Sequence, residues 1–524
     1  LETHGQNIPA DKLKVESVQI GGTKYLNIQF LGKMLPIEEN RMVSQLEEIG
    51  VSEQRAKDFY QWVRDFTVNL TVGAKEGYLI VSLAGENVHL EKFGKAPFLV
   101  ERKELAPARP QLAMKDKILQ LEYTSYDIAS FGYTSLEERQ KGVDQALALG
   151  GLFLPPGMSD RLKKDAHELI ADVFAAEAKP SESVSVTVNN NGAESFRFSR
   201  SVQPGLDYSR PLEILKHTGG EPFIAVASSS PKSGESYAKF VSYCKKAYGY
   251  ANDFAVPKLK KDNQDVYDKF KKYEAVVLPY LAELDSITAK KFLPSVDGCQ
   301  QAFVVDVKAK AKDFVEAHLP EPMPIPEMAI VVGLNDGDLF REAINDYLGA
   351  AKGFYAKLRP MLAEDGAKNL PPELMIPAPQ SQSAGGGTKY FYPMPPGLDA
   401  AILPHVQLGK KLLVISSSPS LTERVWTPGA MPDSAPVMLG EPSAVGAAIR
   451  PKALLEAGKV WFEFVKKLPD SPLEKAPPEV KEYIPLVVGT IEDFVGASKG
   501  TFARTYKQGE YHVDHTWSHF DPSK

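Results

Sequence analysis

Histidine and aspartate side chains alternate near the C-terminal end of this 524-residue chain. His512 and Asp514 lie two residues apart in a strand-like stretch, so their side chains would share one face at a spacing of about 6.6 Å. An imidazole and a carboxylate at that spacing could hold a metal ion, and a solvated strand face is the alternative. His515 and His519 would lie on the other face, roughly 13 Å apart, too far to share a zinc ion. The candidate metal ligands are therefore His512 and Asp514.

A second candidate for chemistry is the Ser-x-x-Lys spacing of Ser229 and Lys232, which some serine acyl-enzymes use. Ser230 precedes a proline, as Ser418 does in a similar run of serines that lacks the lysine. Serine followed by proline is typical of a helix start, so we expect Ser230 and Ser418 to cap helices. A hydrolase with its site near Ser229 and Lys232, or around the last strand, is the enzyme alternative.

The chain has two cysteines, Cys244 and Cys299. Two cysteines in a chain of this length cannot form a disulfide scaffold. In an oxidising compartment they could form one bridge that closes a loop of about 55 residues and contributes roughly 3–4 kcal/mol. Two separate thiols are the alternative reading.

Several classes of protein are excluded by what the sequence lacks. It has no P-loop, no G-x-S-x-G elbow, no G-x-G-x-x-G after a strand and no H-E-x-x-H, so no cofactor is expected. Lys and Arg number 61 against 67 Asp and Glu, with no basic patch, which argues against nucleic-acid binding. No apolar run is long enough to form a membrane-spanning helix.

Short apolar runs that precede helix-start signals recur along the chain. Each run favours a buried strand, and the polar residues after it can accept hydrogen bonds from the first turn of a helix. The runs are residues 78–81, 223–227, 329–332 and 412–415. Helical patterns cover 38–66, 161–175, 263–291, 452–467 and 480–495, and strand patterns cover 118–123, 183–188, 195–202, 301–307 and 510–519. The proline-rich stretch 319–326 is typical of a stiff linker, and 370–387 of a surface loop.

Five features of the N-terminal part recur in the same order near the C-terminus. The pentapeptide Gly-Gly-Thr-Lys-Tyr at 21–25 returns at 386–390. The other pairs are strands at 79–82 and 413–416, strands from 118 and 444, helices ending near 174 and 494, and turns at 191–192 and 508–509. The offset between paired features falls steadily along the chain, and a helical insertion at 36–66 accounts for its largest step. Duplication of one module explains this order, and convergent strand-turn-helix patterning is the alternative.

These patterns predict an α+β protein. We expect two related modules of mainly antiparallel sheet with helices packed on one face, and a leader domain between them. The first module covers residues 1–203, the leader domain 204–373 and the second copy of the module 374–524.

Three segments carry a resemblance to a known family: residues 297–306, 324–333 and 388–393. They resemble segments of large uncharacterised proteins exported by planctomycete-type bacteria, mainly over residues 206–521. The resemblance implies a removed signal peptide and a location in the periplasm, the cell envelope or the extracellular space. The chain begins with Leu1 rather than Met, which agrees with a removed leader. The family has no established activity, so the resemblance assigns no functional residue.

The absence of a catalytic motif favours a non-catalytic envelope, scaffold or binding protein. The alternatives are the hydrolase described above and a carrier that holds an apolar ligand between a curved sheet and its helices. We also expect a protein partner or a homo-oligomer. The second copy follows a leader domain and the first does not, so the first copy would expose a sheet edge near residues 79–82. An upstream fragment of the same gene product, or another subunit, would then cover that edge.

Overall fold

A computed structural model describes residues 14–34, 37–48, 53–75, 77–92, 101, 103–114, 117–130, 133–150, 157–201, 203–314, 317–429, 440–467 and 477–520. The chain forms two compact units, Leu1–Ala106 and Pro107–Lys524, so their boundary lies inside the predicted first module. Both units contain α-helices and antiparallel strands, which confirms the predicted α+β class.

The first unit is built on a four-stranded antiparallel sheet in the order β1-β2-β3-β4. The strands are β1 (Lys14–Ile20), β2 (Thr23–Leu31), β3 (Thr67–Lys75) and β4 (Tyr78–Ala84). The helices are α1 (Glu39–Glu48), α2 (Glu53–Asp65) and α3 (Val88–Glu91), with short 3-10 helices at Gly32–Met34 and, across the unit boundary, at Lys103–Ala108. Tyr25, Ile80 and Leu90 are buried together and form the core of this sheet.

The second unit contains a 13-stranded sheet in which all paired strands are antiparallel. Its order is β13-β14-β15-β16-β12-β9-β8-β17-β18-β19-β7-β6-β5. The strands are β5 (Ile118–Thr124), β6 (Ser183–Asn189), β7 (Gly192–Ser199), β8 (Ile224–Ser229), β9 (Gln300–Asp306), β12 (Glu327–Gly333), β13 (Gln380–Ala384), β14 (Gly387–Phe391), β15 (His405–Leu408), β16 (Leu412–Ser416), β17 (Val445–Ile449), β18 (Ser498–Gln508) and β19 (Tyr511–Phe520).

A separate hairpin, β10 (Lys310–Phe314) and β11 (Ala317–Pro324), lies in the chain between β9 and β12. The prediction of a stiff linker at 319–326 was therefore wrong. Proline is compatible with β11 because β11 pairs with β10 alone among the described strands, and proline is tolerated in edge strands.

The described helices of the second unit run mainly between strands. They are α4 (Arg109–Leu112), α5 (Tyr126–Ala129), α6 (Leu136–Gly150), α7 (Met158–Ala176), α8 (Gly234–Tyr250), α9 (Val256–Asp262), α10 (Gln264–Ile287), α11 (Leu293–Val296), α12 (Gly337–Glu364), α13 (Pro419–Trp426), α14 (Pro451–Lys466) and α15 (Pro478–Ala497). A 3-10 helix at Glu213–His217 and π-helical turns at Ala251–Ala255 and Thr288–Phe292 complete this set.

One arrangement occurs three times in the large sheet: a strand, a helical segment, and then two strands that pair side by side. It comprises β5, β6 and β7, then β8, β9 and β12, then β17, β18 and β19. In each set the first strand pairs with the second and the second with the third. The last strands of the first and third sets, β7 and β19, pair with each other.

The four strands β13 to β16 repeat the order and directions of β1 to β4. Both first hairpins turn on two glycines in the left-handed region, Gly21 and Gly22 at φ +57° and +80°, and Gly385 and Gly386 at φ +55° and +81°. The turns show that Gly21 corresponds to Gly385. The pentapeptide match, which paired Gly21 with Gly386, was therefore displaced by one residue. Gly385, Gly386 and Gly387 offer two frames, and the turn uses the first two glycines. Helices α1 and α2 separate β2 from β3, whereas no helix separates β14 from β15.

The core of the second unit lies on one face of the large sheet. The 3-10 helix at Glu213–His217 and α13 contribute to it with Leu215 and Leu421. The strand residues in this core alternate along each strand, as one face of a sheet requires. They are Ala227, Ala302, Val304, Ala329, Val331, Val414, Ala448, Phe502 and Trp517.

Candidate binding surface

The predicted metal pair lies on β19, with different surroundings for each side chain. His512 is buried against the ring of Tyr208, at 4.7 Å between centroids, and its burial and Lys507 lower its pKa. Asp514 is exposed and accepts a hydrogen bond from the Thr505 hydroxyl at 2.8 Å. Among the described residues no group of three or more His, Cys, Asp or Glu side chains could hold a metal ion. The described part of the chain therefore supplies no third ligand of these types for the pair.

His515 joins the paired strands β19 and β7. Its Nε2 lies 2.8 Å from the Glu194 carboxylate, and its ring stacks on Phe196 at 4.1 Å. Burial lowers the pKa of His515, and the Glu194 hydrogen bond opposes that shift. These contacts are those of a side chain that stabilises strand pairing.

The two cysteines are free thiols in the structure. Cys244 is exposed on α8, and Cys299 is partly buried just before β9. Burial raises the pKa of the Cys299 thiol, which makes that thiol a weaker nucleophile at neutral pH. The structure thus shows the separate thiols and not the bridge.

The Ser-x-x-Lys segment lies where β8 leads into α8. Ser229 is fully buried, and its hydroxyl lies 3.4 Å from Arg210 Nε. Arg210 in turn pairs with Asp207 at 3.4 Å. Lys232 is exposed. The polar groups described around the Ser229 hydroxyl are thus Arg210 and Asp207, which hold it in place.

The start of α8 is capped by a carboxylate from a distant part of the chain. The helix begins after Ser233, and Asp297 accepts hydrogen bonds from the Ser233 hydroxyl at 2.9 Å and from the Gly234 amide at 3.2 Å. The prediction that Ser230 caps this helix was therefore wrong. Asp297 follows α11, so it is remote from α8 in sequence and meets it only in the folded chain.

Ser418 does occupy the N-cap position of α13, but its side chain makes no capping hydrogen bond. Its hydroxyl instead donates to Glu327 Oε1 at 2.7 Å, and Ser420 donates to the same oxygen at 2.6 Å. Arg424 Nη2 contacts Glu327 Oε2 at 2.6 Å. The first turn of α13 is thus anchored to one fully buried carboxylate on β12.

This buried cluster holds Glu327 ionised. Burial alone would raise the pKa of Glu327, but the hydrogen bonds from Ser420, Ser418 and Arg424 outweigh burial and lower it. A carboxylate whose lone pairs are already engaged cannot readily take a proton from a nucleophile. Arg424 also pairs with buried Asp306 at 3.2 Å. The cluster therefore has the character of an internal anchor.

Part of the opposite face of the large sheet is apolar and exposed. Val226, Phe303, Ile330 and Ile415 are directly opposite one another across β8, β9, β12 and β16. Phe303 is 41% exposed, Ile330 43% and Ile415 44%. Neighbouring side chains in one row of a sheet form a continuous surface. We call these four residues the apolar row.

A second line of apolar residues runs beside the apolar row. Ile449, Ile224, Val305 and Met328 are opposite one another across β17, β8, β9 and β12. Ile449 and Met328 are exposed, and the other two are half-buried. Each of the two adjacent lines crosses four strands, whereas exposed apolar residues on an ordinary protein surface are mostly scattered singly. The sequence patterns predict these strands but do not determine which parts of their faces the helices leave uncovered.

An apolar groove of about 530 Å³ lies between α14 and α15. Leu454, Phe462 and Ile491 line it, with Lys459 and Glu492 among its polar residues. Lys459 and Glu492 form an ion pair at 3.0 Å between the two helices. The groove is the feature of the described chain that best fits the predicted apolar carrier.

Comparison with family models, with curated proteins and with solved structures gave no match to this chain. Within the described residues, no helix has both the length and the apolar character needed to cross a membrane.

Proposed function

We propose that this chain is a non-catalytic scaffold or binding protein that presents the apolar row to a protein partner. The observation that carries the proposal is the line of four apolar residues on four adjacent strands, three of them more than 40% exposed. Burial of such a line removes apolar area from water at about 25 cal/mol per Å², which favours association.

The polar clusters of the second unit support the same proposal because their groups are hydrogen-bonded to one another. Glu327 accepts hydrogen bonds from both serines of α13, and Ser229 is held between Arg210 and Asp207. A catalytic group needs a reacting atom within reach of substrate. These groups are hydrogen-bonded to other residues of the same chain, which favours a structural role.

We further propose that the protein consists of two copies of one module and is exported. The shared strand orders and the two glycine turns support duplication. Export to the periplasm, cell envelope or extracellular space rests on the family resemblance alone. The two parts are independent, because a duplicated scaffold can work in any compartment.

The second candidate function is transport of an apolar ligand in the groove between α14 and α15. The lining by Leu454, Phe462 and Ile491 favours it. Ligand sites are typically concave and mostly apolar, with few polar groups.

Binding of the apolar dye 8-anilinonaphthalene-1-sulfonate tests both proposals. The double variant Phe303→Lys with Ile330→Lys should lose most of the dye fluorescence of the wild-type chain, because lysine removes the apolar row. Val266→Lys is the matched control, since Val266 is 45% exposed on α10, outside the row. Unchanged fluorescence in the double variant would contradict the binding surface, and loss of fluorescence in Ile491→Lys alone would favour the carrier. Ester hydrolysis that disappears in Ser229→Ala would favour the hydrolase.

A further inference from the structure

The fourth strand of each four-stranded set has a different second neighbour. β16 pairs with β15 on one side and with β12 on the other. β4 pairs with β3 and forms the edge of its sheet among the described strands. The second neighbour of β16 is β12, and the segment that contains β12 precedes the second set in the chain.

Strand register places the two edges in residue-by-residue correspondence. Thr71 is opposite Ser82 in the first set, and His405 is opposite Ser416 in the second. The interval from Thr71 to His405 equals that from Ser82 to Ser416, so Leu79 corresponds to Leu413. Leu79 is 75% exposed, whereas Leu413 is 6% exposed. Equivalent leucines on equivalent strands therefore differ in burial because their neighbours differ.

Residues of the predicted leader domain help to bury Leu413. Val332 is directly opposite it on β12, and Leu334 and Phe340 pack in the same cluster. In the first set, Leu79, Val81 and Leu83 lie on one face of β4, and all three are more than 60% exposed. A sheet edge with three large exposed apolar side chains promotes pairing with another strand.

The backbone of β4 is also set for a further strand. In an antiparallel sheet the backbone N–H and C=O groups of alternate residues point to opposite neighbouring strands. Because the hairpin pairs Lys75 with Tyr78, the even-numbered residues of β4 direct these groups toward β3. The N–H groups of Leu79, Val81 and Leu83 therefore face the open edge. Next to the counterpart strand β16, Ser417 donates its N–H to Met328 at 3.0 Å, as this alternation requires.

We propose that the open edge of β4 binds a strand from a partner polypeptide that contains a unit like residues 224–333, with one strand, a helical segment and two paired strands. The third strand of that unit would add to β4 as β12 adds to β16. In the large sheet, β8 of this unit also pairs with β17. This inference rests on the two-copy proposal and is independent of the apolar row.

The structure favours a separate partner over a second copy of this chain. The strands β8, β9 and β12 of each copy are interior strands of its own large sheet, with neighbours on both sides. A second copy therefore has no unit of this kind to give without unfolding its own sheet. A polypeptide that carries a further unit has one available.

Hydrogen exchange of the full chain with a synthetic peptide of β12, Glu327–Gly333, tests the proposal. With the peptide at about 1 mM, exchange at Leu79, Val81 and Leu83 should slow by about tenfold or more, as expected for amides that enter a ladder. Val81→Pro should abolish this protection, because proline removes the central outward N–H without loss of a bond to β3. Ser383→Pro, on the edge strand β13, is the control and should leave protection at β4 unchanged.

Three results would overturn the inference. The first is that saturating peptide leaves the exchange rates of all three amides unchanged. The second is equal protection in Val81→Pro. The third is protection without peptide that grows with chain concentration, since this would make a second copy the occupant. The double variant Phe303→Lys with Ile330→Lys, which lacks the apolar row, should show the same protection of the β4 amides by the peptide. Failure of the strand-binding proposal is therefore distinguishable from failure of the proposed function.

Discussion

Residues 14–199 and 380–520 contain the same succession of strands in different surroundings. Each has four strands in consecutive order, followed by a strand, a helical segment and a hairpin. In the second region β12, β9 and β8 lie between the two parts and join them into one sheet. In the first region the two parts belong to separate compact units, and β4 and β5 each pair with one described strand.

The sequence pattern of a segment determines whether it forms a strand, whereas the neighbours of that strand determine which of its residues are buried. The apolar run at 78–81 and the run at 412–415 both form the fourth strand of their set. Residues outside the second set, among them Val332 and Phe340, help to cover the second run at Leu413. Substitutions at paired positions can therefore measure what the intervening strands contribute.

The largest expected effect is at the anchor of α13, since the described residues of the first region include no buried Asp or Glu. Glu327→Ala should lower the free energy of unfolding by about 3–5 kcal/mol, because it leaves the partly buried Arg424 without its closest carboxylate. Asn27→Ala, in the buried amide network of the first sheet, should cost only about 1–3 kcal/mol. Chemical denaturation of both variants measures the difference. Equal losses of unfolding free energy would contradict the expectation that the Glu327 anchor contributes more than the Asn27 network.

The same anchor predicts a pH dependence. The pKa of Glu327 is lowered in the folded chain, so its stabilising effect is present above its ordinary value and is lost as pH falls through the folded-state pKa. Wild-type stability should therefore fall more steeply below pH 4.5, the ordinary value for Glu, than that of the variant Glu327→Gln. Parallel curves for the two chains would show that another group titrates.

The next effect concerns the paired leucines. Leu413→Ala should cost about 2–5 kcal/mol, as expected for a buried leucine, because it opens a cavity among Leu334 and Leu408. Leu79→Ala should change stability by no more than about 0.5 kcal/mol, because its side chain is exposed. Thermal or urea unfolding compares them, and a cost at Leu79 close to that at Leu413 would mean that β4 is already covered.

Proline at the two outward positions should have an intermediate effect. Ile415→Pro removes a ladder hydrogen bond to β12 and should cost about 1–3 kcal/mol. Val81→Pro removes an N–H that faces the open edge and should cost less than about 1 kcal/mol. Circular dichroism during urea titration gives both values. If Val81→Pro is the more harmful, the assigned direction of the β4 amides is wrong.

The smallest expected difference is between the two glycine turns. Gly22 and Gly386 have φ of +80° and +81°, and no atom lies within 4 Å of a Cβ added to either. Alanine at each position should cost about 1–2 kcal/mol because L-residues avoid this region, and the two costs should agree closely. Clearly unequal costs for Gly22→Ala and Gly386→Ala would weaken the equivalence of the hairpins.

Local patterns predicted most strands because alternation and turn glycines leave a direct signal in sequence. The run at 329–332 and the hairpin near 191–192 are examples, and both are present. The stretch 370–387 is a loop only in part, since it contains β13, whose polar sequence lacks the apolar alternation of a buried strand.

The functional candidates were harder to predict because they depend on contacts between distant residues. Asp297 caps α8 and Glu327 anchors α13, and in each case the two partners are remote from each other in sequence. The apolar row depends on which face of the sheet is covered, and no single strand determines that. The pair His512 and Asp514 was visible in sequence because both residues lie on one strand.

Hydrogen exchange of the full chain without added peptide tests the central comparison most directly. Electron-transfer fragmentation can report single amides, so counterpart positions in β4 and β16 can be read in one experiment. We expect fast exchange at Leu79, Val81 and Leu83 and slow exchange at Leu413, Ile415 and Ser417, because the latter three bond to the segment of β12. Equal protection of the two sets of amides, at any level, would contradict the conclusion that β12 completes the edge of β16 whereas no described strand completes the edge of β4.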